Sequence, residues 1–393
     1  MHAAARPQTN FRFAILALCL GAFAIGTSEF AAMGLLPWFA ADLGITEPMA
    51  GHVISAYALG VVIGAPLTTV LGARLPRRRY LAALIAFYGL TNLLAAVLPG
   101  YAALTGARFL AGLPHGGFLG VATLVAADAL PHAQRAKGVA QVILGLTVAN
   151  IVGVPFAGVL GQGLGWRWGF ALPGLLALIS AILILKLVPR VGVDPKANPI
   201  AELRALANPS VLLILLVGAI GSGGFFAVYS YLSAAMLATS APPAYAIPLT
   251  LAICGIGMTI GNLVAAPLTV RLGPFPALLV LLSYGMVMQL GAAWAVGFWP
   301  AMTLAILLMG LGSGAVVPIQ TRLMDVAGHA QSMAAAMNHA AFNFANALGP
   351  FLAGLALDAD YGWHSSGVVG AGLSLLGLMA LGLAWAHAAR SKA

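Results

Sequence analysis

Twelve times along this chain an apolar run continues for roughly the twenty residues that a helix needs to cross a bilayer. No other property limits the fold as tightly. Inside hydrocarbon every backbone N–H and C=O must be satisfied within the protein, so a spanning chain is either helical or a closed barrel. Barrel strands alternate lipid-facing and lumen-facing residues, whereas these runs are continuous. The segments are 12–39, 50–72, 80–98, 102–127, 138–161, 167–188, 210–237, 245–269, 275–296, 300–323, 331–357 and 364–387. Composition agrees: 61% of the 393 residues are hydrophobic and 7% are charged, against about a quarter charged in soluble domains. The run from Phe11 to Phe39 is longer than the apolar core of a signal peptide and reads as a retained first helix. The fold class is therefore all-α and polytopic, with lipid as solvent.

The net charge of +9 raises the question of nucleic acid, and its placement answers it. With the N-terminus in the cytoplasm, sixteen of the 18 Lys and Arg residues fall on the cytoplasmic side. They are Arg6, Arg12, Arg74, Arg77, Arg78, Arg79, Arg135, Lys137, Lys186, Arg190, Lys196, Arg204, Arg271, Arg322, Arg390 and Lys392. Arg167 falls outside and Arg108 lies within a span. Such asymmetry orients a chain in the inner membrane, both termini cytoplasmic, with basic loops facing anionic lipid. No nucleic-acid partner is expected.

The longest polar break, 189–209, contains four prolines and separates six spans from six. The expected organisation is a cytoplasmic stretch 1–11, a half 12–188, a linker 189–209, a half 210–387 and a tail 388–393. The halves repeat at an offset of 197: Gly21-Ala22 recurs as Gly218-Ala219, Arg74-Leu75 as Arg271-Leu272, and Gly165-Trp166 as Gly362-Trp363. Two repeated six-helix halves are the plan of a secondary transporter. The two cysteines, Cys19 and Cys254, lie far apart in apolar runs, which speaks against a disulfide or zinc framework. Gly161-Gln162-Gly163 and Gly310-Leu311-Gly312 lack the strand-to-helix setting of a nucleotide loop. No cofactor or metal is expected, and an enzyme is disfavoured by the scarcity of acid, base and ligand clusters.

Four segments stand out: Gly26-Thr27-Ser28-Glu29-Phe30, Ala50-Gly51-His52 through Gly60, Arg108-Phe109-Leu110-Ala111-Gly112-Leu113-Pro114-His115-Gly116, and Gly145 through Pro155. Together they resemble the major facilitator superfamily, in particular its twelve-helix drug/proton antiporters of the arabinose-efflux-permease-like branch. The resemblance covers about 11–388. It implies two pseudo-symmetric halves, a monomer, and proton-driven export of a small organic molecule such as a sugar or drug. In the loop between the second and third helices, Arg74, Arg77, Arg78 and Arg79 match the superfamily's basic positions, while Ala73 stands where an aspartate latches the halves. The Gly145, Gly153, Pro155 and Gly158 stretch is similar to the family's antiporter segment. It is expected to form a pliable hinge between the halves.

Glu29 is the one acidic residue well inside a span, about ten residues and so roughly 15 Å from its outer end. Arg108 lies at a similar depth. Charges stranded in oil should face a water-filled cavity or one another. Burial favours the neutral acid and a nearby guanidinium the carboxylate, so Glu29 is the candidate proton carrier and Arg108 its tuner, a role the resemblance also implies. His115 follows Arg108 by seven residues on the same helix face and suits a proton relay. Candidate substrate-lining residues are Tyr57, Phe225, Tyr229, His339, Asn343 and Asn346, the last three sharing one helix face by their spacing. Interhelical hydrogen bonding and plain packing remain the competing roles for all of them. A uniporter or importer on the same fold, or a non-transporting membrane sensor, also stays open.

Overall fold

The computed structural model describes residues 9–72, 74–128, 130–131, 134–189, 208–327 and 331–390. Ala73, most of the 189–209 linker, and Arg6, Arg190, Lys196, Arg204 and Lys392 lie outside these described residues. Among the described residues twelve helices are long and apolar enough to cross a membrane. They are α1 (Arg12–Gly34), α2 (Glu47–Gly72), α3 (Arg77–Val97), α4 (Tyr101–Asp128), α5 (Lys137–Leu164), α6 (Trp168–Leu187), α7 (Pro209–Ser240), α8 (Ala246–Leu272), α9 (Pro274–Ala295), α10 (Trp299–Val326), α11 (Ala336–Asp358) and α12 (Ser365–Arg390).

Several spans are interrupted where the sequence reads as continuous. The first run stops at Gly34 and restarts as a short helix Leu36–Leu43, because Pro37 has no N–H to offer the Met33 carbonyl. Gly44, at φ 63°, ends that short helix in a left-handed cap. On the same face Asp42 accepts from Arg167 Nη1 at 2.6 Å and Trp166 Nε1 at 2.9 Å. These two donors hold its carboxyl below the usual aspartate range. In α4 the helix breaks between Gly112 and His115, at Pro114. In α5 a π-helical segment, Ala149–Gly153, lies just before Pro155. Helix α7 breaks at Ser222, and α10 tightens to a 3₁₀ turn at Ser313–Ala315.

The internal repeat is visible in the packing. Gly60 of α2 lies against the Phe109 carbonyl of α4, and a Cβ there would stand 3.1 Å from Gly112 Cα. Gly257 of α8 lies likewise against the Leu307 carbonyl of α10, 3.3 Å from Gly310 Cα. Glycine is required at both because helix backbones meet there.

Three apolar cores show how the halves sit. One contains residues near the end of the short helix and the α1–α2, α7–α8 and α9–α10 turns, and it draws on both halves, including Phe39, Val53, Tyr231 and Ile247. The second belongs to the first half alone (Leu18, Leu81, Phe118, Ile184). The third belongs to the second half alone (Val211, Leu278, Ile319, Leu381). The halves therefore fuse on the face away from the termini and part on the face that carries them.

Candidate functional site

Where the halves part there is a cavity of about 780 Å³, lined from both. It runs from Glu29 and Phe30, in the last two turns of α1, to Leu124, Val139, Thr321 and Met324 near the ends of their helices on the face that carries the termini. Among its described lining residues Glu29 is the only Asp, Glu, Lys or Arg.

Glu29 is 7% exposed and faces this cavity, not lipid. Asn346 of α11 donates Nδ2 to its Oε1 at 3.2 Å, so the carboxylate is bonded across the boundary between halves. Arg108 is fully buried and lies outside the cavity wall. Its Nη1 donates to Ser28 Oγ at 2.9 Å and Asn92 Oδ1 at 3.3 Å. Its guanidinium carbon stands 4.2 Å from the Tyr57 ring centroid and 5.0 Å from that of Phe170. Neutral oxygens and two ring faces thus solvate the cation. No direct ion pair joins it to Glu29: among the described residues the ion pairs are Arg77–Asp128, Arg135–Asp128 and Arg167–Asp42. The link between the two charges is the neighbour of Glu29, Ser28, which also donates to Asn92 Oδ1 at 2.5 Å.

His115 lines the cavity. Although the helix breaks between it and Arg108, both reach the same partner, since Tyr57 Oη lies 2.8 Å from His115 Nδ1. Tyr57 itself is 1% exposed and braces these two side chains from behind, off the cavity wall. Tyr229 is likewise off the wall, stacked on Phe225, which does line it. His339 and Asn343 line the cavity, with rings of His339 and His115 centred 6.4 Å apart. Asn346 stands behind Glu29, fully buried.

The expected hinge residues divide. Side chains added at Gly145 and Gly153 would strike α1, at Cys19 and Thr27, so these glycines serve packing within one half. Gly158 alone faces the other half, 3.9 Å from Leu251. The close approach between halves is made instead by Gly255 of α8, where a Cβ would stand 2.6 Å from the Asn150 carbonyl carbon, inside the π segment. Of the basic loop, Arg77 pairs with Asp128 at 2.6 Å, tying α3 to α4 within one half, and Arg74 is exposed.

Sequence reasoning passed over Asn92, Gln289 and Gln320. The first holds Arg108; Gln289 Oε1 accepts from Ser374 at 2.9 Å; Gln320 Oε1 accepts from Asn338 at 2.7 Å. The offset of 197 places Asn92 and Gln289 at equivalent positions, a signal that was available.

Known proteins resemble this architecture closely. The inner membrane transport protein YdhP of Escherichia coli strain K12 is 38% identical over 380 residues, 93% of this chain and 95% of that one. The chloramphenicol resistance protein of Streptomyces lividans is 32% identical, covering 90% of each. The crystal structure of the nucleoside transporter NupG superposes with a TM-score of 0.79 at 14% identity, over 95% of this chain and 99% of that one, which shows the shared fold. The family profile of the Major Facilitator Superfamily matches residues 18–338. With twelve spans, two repeated halves and a cavity between them, the chain belongs to the Major Facilitator Superfamily and is a multi-pass membrane transporter of a small molecule.

Proposed function

We propose that the chain is a proton-coupled antiporter that exports a small organic molecule by alternating access, working as a monomer with both termini in the cytoplasm. The observation that carries this reading is Glu29: the one carboxyl group among the described residues of the cavity wall is also bonded to the opposite half through Asn346. A ligand shifts a two-state equilibrium only by its differential affinity for the two states. A proton on Glu29 meets that condition, because it changes what the carboxyl group offers Asn346 and how strongly it demands water. Substrate and proton then compete for one cavity. Arg108 and His115 are assigned supporting roles, the former setting the local field through Ser28 and the latter joining the cavity to Tyr57.

Orientation rests on Arg74, Arg77, Arg78, Arg79, Lys137 and Lys186, all at helix ends on the face that carries the termini, against Arg167 opposite. In that orientation the cavity faces the cytoplasm. Residues 12–188 and 210–387 are the rocking bodies, and 189–209 is their linker. The name of the Streptomyces lividans relative, a chloramphenicol resistance protein, favours export.

The test is Glu29→Gln in sealed proteoliposomes with an imposed pH gradient and an internal pH dye. Substrate-dependent proton release should disappear while the protein still inserts and unfolds at the wild-type temperature. Undiminished proton exchange by the variant removes Glu29 from the mechanism, and indifference of the wild type to the gradient identifies a uniporter.

A further inference from the structure

Two imidazoles meet across the boundary between the halves. His115 opens the second part of α4, His339 lies on α11, and both line the cavity. Their ring centroids are 6.4 Å apart, with the planes at 50°. Hydrogen bonding fixes which nitrogen His115 offers. Tyr88 donates its hydroxyl to the Ile25 carbonyl at 3.2 Å, and a carbonyl can only accept. The Tyr88 oxygen is thus left to accept from the hydroxyl of Tyr57, its hydrogen-bond neighbour. The Tyr57 oxygen in turn accepts from His115 Nδ1–H at 2.8 Å. Nε2 of His115 then carries the lone pair, on the ring edge away from Tyr57. The His339 ring makes no hydrogen bond among the described residues, although its backbone carbonyl accepts from Asn343.

We propose that His115 and His339 form a two-imidazole site for a divalent transition-metal ion, with Cu²⁺ the best match. A metal–nitrogen bond of about 2.0 Å places the ion about 3.2 Å from each ring centroid. Imidazoles on opposite sides of the ion are then about 6–6.5 Å apart, as in the tetragonal geometry of Cu²⁺ or Ni²⁺. A tetrahedral Zn²⁺ would need them at about 5 Å. The observed spacing matches the former. Cu²⁺ is also the divalent first-row ion that nitrogen sites hold most tightly. A hydrogen bond from the far nitrogen of a metal-bound imidazole orients the ring and raises its basicity, and Tyr57 accepts that bond from His115. Among the described residues no third His, Cys, Asp or Glu completes a cluster with the pair, so water fills the other positions. Because the two ligands belong to opposite halves, a bound ion ties α4 to α11 and arrests their relative motion. The arrest rests on the alternating-access reading; the site rests on geometry alone.

Cu²⁺ binding to the tag-free full-length protein in nanodiscs tests the site. A His2→Ala background removes the chelate that a second-position histidine forms with the N-terminal amine. The electron spin resonance of the bound ion should show splitting from two imidazole nitrogens. His115→Gln and His339→Gln should each weaken binding by at least the roughly tenfold that loss of an outer partner costs. The double variant should lose little more, since removing either ligand breaks the bridge. Tyr57→Phe, which keeps the ring against Arg108, should weaken binding about tenfold. Thermal unfolding without metal reports which variants fold, and should one histidine variant unfold, the other carries the test. Failure of the parent to bind Cu²⁺, unchanged affinity in a folded histidine variant, or losses that add in the double variant overturns the bridge. Unchanged affinity in Tyr57→Phe overturns the role of Tyr57. Amide hydrogen exchange around Tyr231 and Ile247, in the core shared by the halves, should slow when Cu²⁺ is bound, because opening that core requires the halves to move. Exchange indifferent to bound Cu²⁺ overturns the arrest and leaves the site standing.

Discussion

Arg108 shows how a single charge is kept in a membrane interior without a counter-ion at hydrogen-bond distance. Two hydrogen bonds from Nη1 and two ring faces replace its water. Asn92 contributes one of those bonds and accepts another from Ser28. Asn92→Ala should therefore destabilise the protein by about 1–3 kcal/mol, the cost of leaving buried polar groups without a partner. Thermal unfolding in detergent measures it, and Asn92→Gln should recover part of the loss. The two stranded charges were legible in the sequence, because a carboxylate or guanidinium in oil is too costly to be incidental. Asn92 was not: a neutral amide in a span is tolerable in many settings, and only the fold brings it to Arg108.

At the level of helices, breaks and close approaches divide the labour. Pro114 and Pro155 announce their interruptions, since each removes a backbone donor. The 3₁₀ turn at Ser313–Ala315 likewise precedes Pro318, which leaves the Gly314 carbonyl without its donor, whereas the break at Ser222 carries no such mark. Glycine positions are equally ambiguous in sequence: Gly145 and Gly255 look alike, yet one packs inside a half and the other at the boundary. Gly51 of α2 is the clearest case on the closed side. The Tyr231 hydroxyl of α7 occupies the space a side chain would need there, and it donates to the Pro350 carbonyl of α11 at 3.0 Å. Gly51→Leu should wedge this side open. Overpacking of about 1–3 kcal/mol against one state shifts the population about 5–150-fold. The readout is labelling of Ile247→Cys, buried in the closed core, by an impermeant maleimide in a background lacking Cys19 and Cys254. An unchanged labelling rate would show that the Tyr231 contact does not hold the closed state.

For the molecule as a whole, closure on one face and separation on the other follow from which cores are shared. The shared core joins α1 and α2 to α7 and α8, whereas the other two cores stop at the boundary of their halves. Alternating access requires the shared core to part. The Ser55 hydroxyl of α2 donates to the Ala347 carbonyl of α11 at 2.9 Å, deep within that seam. Cysteines at Ser55 and Ala347, bridged by a short bifunctional thiol reagent, should abolish transport, and reduction should restore it. Transport that continues while bridged would mean that the halves do not separate along α2 and α11.

Twelve apolar runs, the basic asymmetry of the loops and the repeat at 197 residues were enough to determine the helical class and the two-half plan; the superfamily was legible only as a resemblance, in the segments around Glu29, His52, Arg108 and Gly145. Those properties follow from the solvent: hydrocarbon leaves the backbone few options, so periodic composition suffices to specify them. What tertiary structure alone decided is which polar side chains meet. Glu29 and Asn346 lie 317 residues apart, and Arg108 looked like its partner by depth. Depth along a helix follows from counting residues, but rotation about the helix axis and the choice of neighbour come from packing against other helices. Packing turned Arg108 into a box of neutral oxygens and rings, and it left Glu29 to face the cavity and the opposite half.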